Sequence, residues 1–372
     1  MPRADIVVSS KIERSPRVMQ LEGLFDVPPT QRTEQRWIVC LPLEEKPWNI
    51  GLIVGPSGSG KSTILREMFQ SSLRDYSWKQ DASIVDSFPQ SMSIKTIVEL
   101  LSSVGFSSPP SWLKSFRILS SGEQFRVSLA RILAEAPDLA ICDEFTSTVD
   151  RTVAQIGSAA IARTVRKMSK QIIVATCHED VEAWLQPDWA YRPAENSFTW
   201  RSLRRHPKIK LKIFRTHYSA WELFRKHHYL DSSLNKSAIC FLAMYQNMIV
   251  AFSAWLSLVS GSSRGKREHR TVVLPDFQGV GIGNAISEYC ASIWRTLHYR
   301  AFSTTSHPAM IAHRTKSENW KLNRPPSMGA HGGRIWRERS ISDKAAISRL
   351  TAGFEYVGPS MNFETAQKLL SE

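Results

Sequence analysis

Several short clusters in the 372-residue sequence hold side chains suited to phosphate chemistry. Gly55-Pro-Ser57-Gly58-Ser-Gly60-Lys61-Ser62-Thr63 follows the apolar run Ile50–Val54 and leads into helix-forming residues. This is the G-x-x-x-x-G-K-[ST] spacing of a phosphate loop in a strand, loop and helix setting. Its glycines let backbone N–H groups curl round a β-phosphate, and the helix N-terminus adds partial positive charge. Lys61 reaches the β and γ oxygens, and the Ser62 hydroxyl ligates Mg²⁺. Gly55, Ser57, Gly58, Gly60, Lys61, Ser62 and Thr63 are therefore expected to bind a nucleotide with its Mg²⁺.

A second apolar strand, "DLAICDEF", ends in Asp143 and Glu144. An aspartate there can hold Mg²⁺ through water, and the adjacent carboxylate can deprotonate an attacking water. "STVD" follows, and a third apolar strand, "QIIVATC", ends in His178, which taken singly reads as a polar strand cap. "ILSSGEQFRVSLARIL" (118–133) has helical periodicity, with Phe125, Leu129, Ile132 and Leu133 on one face and Ser120, Ser121 and Gly122 at its mouth. Those small residues expose N–H groups where an anion could sit.

In this order, the phosphate loop, "LSSGE", "ICDEF", "STVD" and a strand-terminal His resemble the ATP-binding cassette (ABC) ATPases. The resemblance covers about residues 15–190 and implies roles residue by residue. Lys61 and Ser62 are nucleotide and Mg²⁺ ligands, Gln90 in "SFPQSMS" touches both nucleotide and metal, and Asp143 is a Mg²⁺ partner. Glu144 is the general base and His178 the γ-phosphate sensor. Ser120 and Gly122 cap the γ-phosphate held by a second subunit, so an ATP-dependent homodimer is expected. Ser121 and Glu123 depart from the usual LSGGQ signature. Phe25 and Trp48 are the candidates for the aromatic that stacks on the base.

The elements around these residues argue against a transporter. Only 29 positions separate Gln90 from Leu119, leaving little room for a long helical subdomain. The longest apolar stretch, "CFLAMYQNMIVAFSAWLSLVS", is broken by Tyr245-Gln246-Asn247 and reads as a β-hairpin turning at Gln246-Asn247. The N-terminus lacks a signal-peptide core. Cys40, Cys142, Cys177, Cys240 and Cys290 form no CxxC pair, so neither a zinc site nor a disulfide framework is indicated and a reducing, cytoplasmic setting fits best; with the hairpin reading above, no membrane partner is expected.

Downstream, a strand, a helix and the 238–259 hairpin precede "TVVLPDFQGVGIGNAISEYCASIWRTL", in which a glycine loop follows a strand and opens a helix. The apolar face of that helix is Ile286, Cys290, Ile293, Trp294 and Leu297. Gln278-Gly279-Val-Gly281-Ile-Gly283 resembles the pyrophosphate loop of the GNAT acyltransferases, and "RLTAGFEYVGP" resembles their closing strand. The resemblance covers about residues 205–360 and implies acetyl-CoA on Gln278, Gly279, Gly281 and Gly283. Ser306 and His307 are the preferred catalytic pair, with His227, His228 and Tyr229 as further polar candidates. "RKHHYL" and "TTSHPAMIAHRTKSENW" are similar to Mom-like bacteriophage proteins that modify nucleic acid.

Charge follows the same division. Residues 1–200 carry 22 Lys and Arg against 23 Asp and Glu, whereas residues 201–372 carry 26 against 11, a net +15. Basic stretches with Trp200, Trp320 and Trp336 interspersed suit phosphate contacts and base stacking, so DNA or RNA is the expected partner. The sequence therefore reads as an α/β chain: a P-loop ABC-type nucleotide-binding domain (1–200) followed by an α+β GNAT-like acyltransferase domain (201–372) that modifies nucleic acid bases. A nucleic-acid-binding ABC ATPase with a non-catalytic GNAT fold, and a protein or small-amine N-acetyltransferase, are the alternatives.

Overall fold

Uninterrupted apolar runs become buried strands, and helices with one apolar stripe cover them. The computed structural model describes all residues except 1–2, 26–31, 75, 202–208, 229–232, 261–262, 329–349 and 372. In chain order its strands and α-helices begin with β1 (Arg3–Lys11), α1 (Pro16–Phe25), β2 (Arg32–Cys40), β3 (Ile50–Val54), α2 (Lys61–Phe69), α3 (Ile94–Ser103), α4 (Pro109–Trp112) and α5 (Ser121–Glu135). They continue with β4 (Leu139–Cys142), α6 (Arg151–Met168), β5 (Gln171–Thr176), α7 (Asp180–Leu185), β6 (Trp189–Arg192) and β7 (Ser197–Trp200). The remainder are β8 (Lys212–Thr216), β9 (Ile239–Tyr245), β10 (Met248–Ser260), β11 (Ser263–Val273), α8 (Ile282–Thr296), β12 (Arg300–Thr305), α9 (Pro308–Lys316), β13 (Trp320–Met328), β14 (Leu350–Tyr356) and α10 (Phe363–Ser371).

The chain divides into two units, each assembled from three separated segments. The first comprises residues 1–77, 135–148 and 162–206; the second comprises 78–134, 149–161 and 207–372. The helical segment carrying "LSSGE" thus groups with the C-terminal half, a grouping different from the 1–200 and 201–372 division read along the sequence.

In the first unit five strands are ordered β4-β5-β3-β6-β7; β4, β5, β3 and β6 run parallel, and β7 returns antiparallel to β6. All five residues of β3 are buried, as expected of a central parallel strand covered on both faces. Gly51 is required there, because a Cβ at that position would lie 2.1 Å from the Trp189 ring. The β1–β2 ribbon contributes Ile6 and Val39 to the core that holds Ile53, Ile64, Leu65 and Ile173.

The second unit contains a seven-stranded sheet ordered β13-β14-β12-β11-β10-β9-β8, antiparallel throughout except for the β11–β12 pair. Its β9–β10 hairpin turns at Gln246 (φ 47°) and Asn247 (φ 66°), the pair expected from the sequence. Two successive residues in the left-handed region make the tight turn whose twist matches its strands. Among the described residues no helix is long and apolar enough to cross a membrane. Phe241, Trp255, Ile286, Cys290, Ile293 and Trp294 pack on one face of the sheet, with Ile156 of α6 and Phe277 in the same core. Trp221 and Phe224 cover Leu242 and Phe252 on the other.

A buried ion pair sits inside this sheet. Arg314 donates to Glu268 (3.0 Å) and to the Ser287 hydroxyl (2.7 Å), lies 4.2 Å over the Trp320 ring, and shares Ser303 with Glu268. Burial alone raises the Glu268 pKa, but Arg314 with the Ser303, Thr271 and Ser287 hydroxyls overcomes it and holds the carboxyl below its ordinary range. A depressed carboxyl stabilises the fold above its unfolded pKa, and that contribution is lost as pH falls through the folded value. We expect Glu268→Gln to destabilise the second unit by about 3–5 kcal/mol at neutral pH, because it leaves Arg314 buried without its counter-charge. The deficit should shrink under acid conditions, as measured by amide exchange in α8 and β11 at the two pH values.

Candidate functional site

The ends of β3, β4 and β5 converge in the first unit, and register explains how. Val54 pairs with Thr176 and Cys142 with Val174, so the residues that follow each strand emerge side by side. They open onto a cleft of about 430 Å³ lined by Ser57, Gly58, Gly60, Lys61, Ser62, Thr63, Asp143, Glu144 and Ser147, with Gln35 and Trp37 from β2, Thr176 at the end of β5 and Cys177 just after it. Lys61 Nζ donates to the carbonyls of Gly55 (2.9 Å) and Pro56 (2.8 Å), which holds the ammonium across the loop. Gly60 caps α2 with φ 91°. A side chain there would be strained by that φ and would also meet the Trp37 ring at 2.4 Å.

The carboxylates are set by local backbone. Asp143 Oδ1 accepts the Glu144 N–H at 2.9 Å, and Glu144 (φ 50°) and Thr146 (φ 68°) both occupy the left-handed region. Two such non-glycine residues in three positions mark a segment held by its surroundings at a cost of about 1–3 kcal/mol each. Phe145 fixes it by donating its N–H to Ala175 O at 2.8 Å. Thr146 is buried, and its hydroxyl lies 3.0 Å from His178 Nδ1, which ties the imidazole to the carboxylate segment. Burial, with Asp143 adding to it, pushes the Cys142 thiol up to about 12, so it stays neutral. Among the described residues no group of three or more His, Cys, Asp or Glu side chains could hold a metal ion. Mg²⁺ at Ser62 and Asp143 would need phosphate oxygens and water to complete its shell.

Gln90, Ser120 and Gly122 belong to the second unit. Gln90 is exposed in a turn before α3. Glu123 explains its own departure from the signature. Its carboxylate accepts the Ser120 N–H (3.0 Å) and hydroxyl (3.1 Å), while Ser120 Oγ accepts the Glu123 N–H (3.3 Å). This reciprocal capping box starts α5, and the other Glu123 oxygen accepts from Ser111 Oγ at 3.0 Å. Gly122 is buried, with Asp276 Oδ1 3.2 Å and Arg126 Nη2 3.3 Å from where its Cβ would lie. Of the N–H groups the sequence suggests are unobstructed, that of Ser120 is already accepted by Glu123.

The glycine loop follows β11 as expected. Gly281 (φ 89°) caps α8, and a Cβ on Gly283 would lie 3.3 Å from Val273. Gln278 donates to Val273 O (3.0 Å) and accepts the Ser107 N–H (3.0 Å), and Gly279 abuts Gly105. Ser306 and His307 lie between β12 and α9. His307 Nε2 is 3.2 Å from Ser107 O, and burial lowers its pKa while that backbone bond opposes the shift. His227 is half-buried. Burial and Lys226 lower its pKa, whereas Glu123 and Asp276 oppose them. His228 meets Trp221 edge-on at 5.6 Å. Tyr229 and Trp336 lie outside the described residues.

Several expectations change. Trp48 is packed edge-on against Trp189 in the core and Phe25 is exposed on α1, whereas Trp37 lines the cleft. Trp37 stands 24 residues before Lys61 on an exposed ribbon strand, where neither apolar alternation nor a motif signals it. Trp320 cannot stack on a base, because it is buried with its indole N–H on Glu288 (3.1 Å). Trp200 keeps an edge contact with Phe198 and donates to Glu45. His269 carries no sequence signal either. The β10–β11 register shifts between Ala254/Arg270 and Trp255/Glu268, making His269 the extra residue of a bulge. Burial and the flanking Arg270 and Arg267 push it down to about 4, so it is neutral near pH 7.

Lys61→Ala should weaken ATP·Mg²⁺ binding about tenfold to a hundredfold, the worth of charge-assisted hydrogen bonds, by isothermal titration. Trp37→Ala should lose about 1–3 kcal/mol of adenine nucleotide affinity, and Trp37→Phe should retain most of it, if the ring stacks on the base.

No family model matches the chain. It is 33% identical over 98 residues to the methionine import ATP-binding protein MetN 2 of Rhodococcus jostii, covering 26% of this chain and 28% of that protein. It is 28% identical over 186 aligned positions to the L-cystine transport system ATP-binding protein TcyN of Escherichia coli, covering 37% of this chain and 72% of the relative. The chain therefore spans little more than a quarter of the length of the first of these relatives. A dimeric ABC cassette solved in a post-hydrolysis state with ADP and phosphate aligns at 15% identity over 51% of this chain and 92% of the cassette, TM-score 0.37. The cbiO1 structure from Clostridium perfringens aligns at 20% identity over 42% and 76%, TM-score 0.34. Over part of its length, the chain is homologous to the ATP-binding cassettes of ABC transporters.

Proposed function

We propose that the chain is an ATP-hydrolysing ABC-type ATPase that acts as a nucleotide-dependent homodimer in the cytoplasm. The carrying observation is the convergence of Lys61, Ser62, Asp143 and Glu144 on one cleft. ATP with Mg²⁺ supplies the phosphoanhydride to be cleaved. Lys61 holds its terminal oxygens, Ser62 and Asp143 hold the cation directly or through water, and Glu144 takes a proton from the attacking water. His178, held by Thr146 at 3.0 Å, is read as the γ-phosphate sensor. The Ser120–Glu123 helix mouth is read as the signature that a second copy contributes, and Gln90 as a nucleotide and metal contact.

The C-terminal half, 201–372, we read as a GNAT-like acyltransferase that uses an acyl-CoA to modify nucleic acid. Three observations support this. The sheet has one parallel pair, β11–β12, whose pairing is limited to Gly265–Arg267 with Arg300–Phe302, so the strands part toward their C-terminal ends. The glycine loop follows β11 and opens α8 through Gly281. The basic excess lies in this half, including residues 202–208 and 329–349 outside the described set. A non-catalytic C-terminal half in a nucleic-acid-binding ATPase is favoured by one feature: His307 and Gln278 both spend hydrogen bonds on Ser107.

Glu144→Gln should bind ATP·Mg²⁺, hydrolyse it at least about a hundredfold more slowly and accumulate as a dimer in sedimentation, since general-base catalysis contributes on the order of 10²–10⁴. A monomer at saturating ATP·Mg²⁺ would count against the cassette reading. The full chain should also bind single-stranded nucleic acid with a log–log salt slope of about −0.7 per phosphate neutralised. Gly281→Leu should leave that slope unchanged and abolish acetyl-CoA binding. Wild type that neither binds acetyl-CoA nor alters any nucleoside by mass spectrometry points to the non-catalytic reading.

A further inference from the structure

Within the second unit, the glycine loop meets the helical segment backbone against backbone. A Cβ built on Gly105 would lie 2.6 Å from the carbonyl oxygen of Gln278, and one on Gly279 would lie 2.6 Å from the Cα of Gly105. Both glycines have φ in the left-handed region, 90° and 85°. Around this contact Gln278 bonds the Ser107 N–H, and His307 reaches the Ser107 carbonyl. One turn upstream, Asp276 accepts from Arg126 at 3.1 Å; Arg126 is 1% exposed and sits on the signature helix α5. Asp276 also borders Gly122, the signature glycine, and Phe277 shares its core with Ile156 of α6.

A chain of direct contacts therefore runs from Gly122 through Arg126 and Asp276 to Gly279 and on to Gly281 at the start of α8. Flexible side chains can absorb small displacements by changing rotamer. A close-packed backbone contact cannot, so one side moves only with the other. The ion pair restrains the same loop by charge, with Arg126 buried and able to follow Asp276 only if α5 follows too.

We propose that Asp276–Gly279 is a transmission contact that couples the signature helix to the glycine loop of the C-terminal half. Engagement of Ser120–Gly122 by nucleotide shifts the loop that opens α8, and a ligand on that loop shifts nucleotide engagement by the same factor. The input rests on the nucleotide-site reading above; the contact itself does not depend on which ligand the glycine loop takes.

Amide hydrogen exchange on the full-length Glu144→Gln protein, with and without ATP·Mg²⁺, tests this through two reporters: α2 (61–69), which follows the phosphate loop, and residues 275–283. Both should respond, the loop by at least about fivefold, the low end of site-to-site coupling. In Asp276→Ala and in Gly105→Ala on that background, α2 should still respond and the loop should not. The two variants act on different parts of the contact, so misfolding of one leaves the other decisive. A response in α2 without one in the loop overturns the proposal, as does a loop response that survives both variants. Silence in α2 sinks the nucleotide-site reading, and the coupling with it.

Discussion

The first unit depends on the burial of β3 between two parallel neighbours. A strand with both faces covered has no freedom to slip, since a one-residue shift would turn its side chains to the wrong layers. Its pairing with β5 fixes where the phosphate loop begins relative to Thr176 and His178, and the pairing of β5 with β4 fixes Asp143 and Glu144. The candidate catalytic groups are thus placed by hydrogen-bond register, with short polar turns adding the final orientation. That explains why strained φ values are found at Glu144 and Thr146, immediately past the end of β4. A rigid strand end can hold such a conformation, and a mobile loop would relax it.

Another principle organises the second unit. Small residues, Gly105, Gly157 and Gly279, lie where side chains would collide with neighbouring elements, and Gly122 lies where one would be tight. At Gly157 the neighbour is the Phe125 ring of the signature helix, 2.6 Å from a built Cβ. Residues 78–134, 149–161 and 207–372 accordingly behave as one packed body, with buried Arg126 and Arg314 each compensated by a carboxylate, Asp276 and Glu268 respectively. Such pairs add little net stability over apolar packing, but they penalise any arrangement that separates them.

Much of the first unit was legible in the sequence, because phosphate-binding loops require glycine at fixed spacing and central parallel strands require continuous apolar residues. The 246–247 turn was legible for a similar reason, since few residue pairs tolerate two positive φ angles. Three features were not. Trp37 lies on a largely solvent-facing strand in which Val39 is buried and Trp37 only partly so, beside the exposed Ile38. Glu123 looked like a drifted signature residue until its capping bonds to Ser120 were seen. The association of the signature helix with the C-terminal half depends on contacts between residues more than 100 positions apart, which no local pattern encodes. The charge of the C-terminal half points to an anionic partner, yet its described tryptophans, Trp221, Trp255, Trp294 and Trp320, are all buried, which charge and spacing do not encode.

The interleaving of the two units along the chain also bears on biosynthesis. Residues 78–134 emerge from the ribosome well before 207–372, with which they pack. At about 5–20 residues per second, Gly105 and Arg126 wait on the order of ten seconds for the Asp276–Gly279 segment that they meet. During that interval Arg126 lacks the Asp276 carboxylate that meets it in the folded chain. A truncation shortly after residue 200 removes the Asp276 carboxylate and the Gln278–Gly279 backbone, so synthesis of the C-terminal half is also a condition for α5 and the Gly105 turn to reach their native packing.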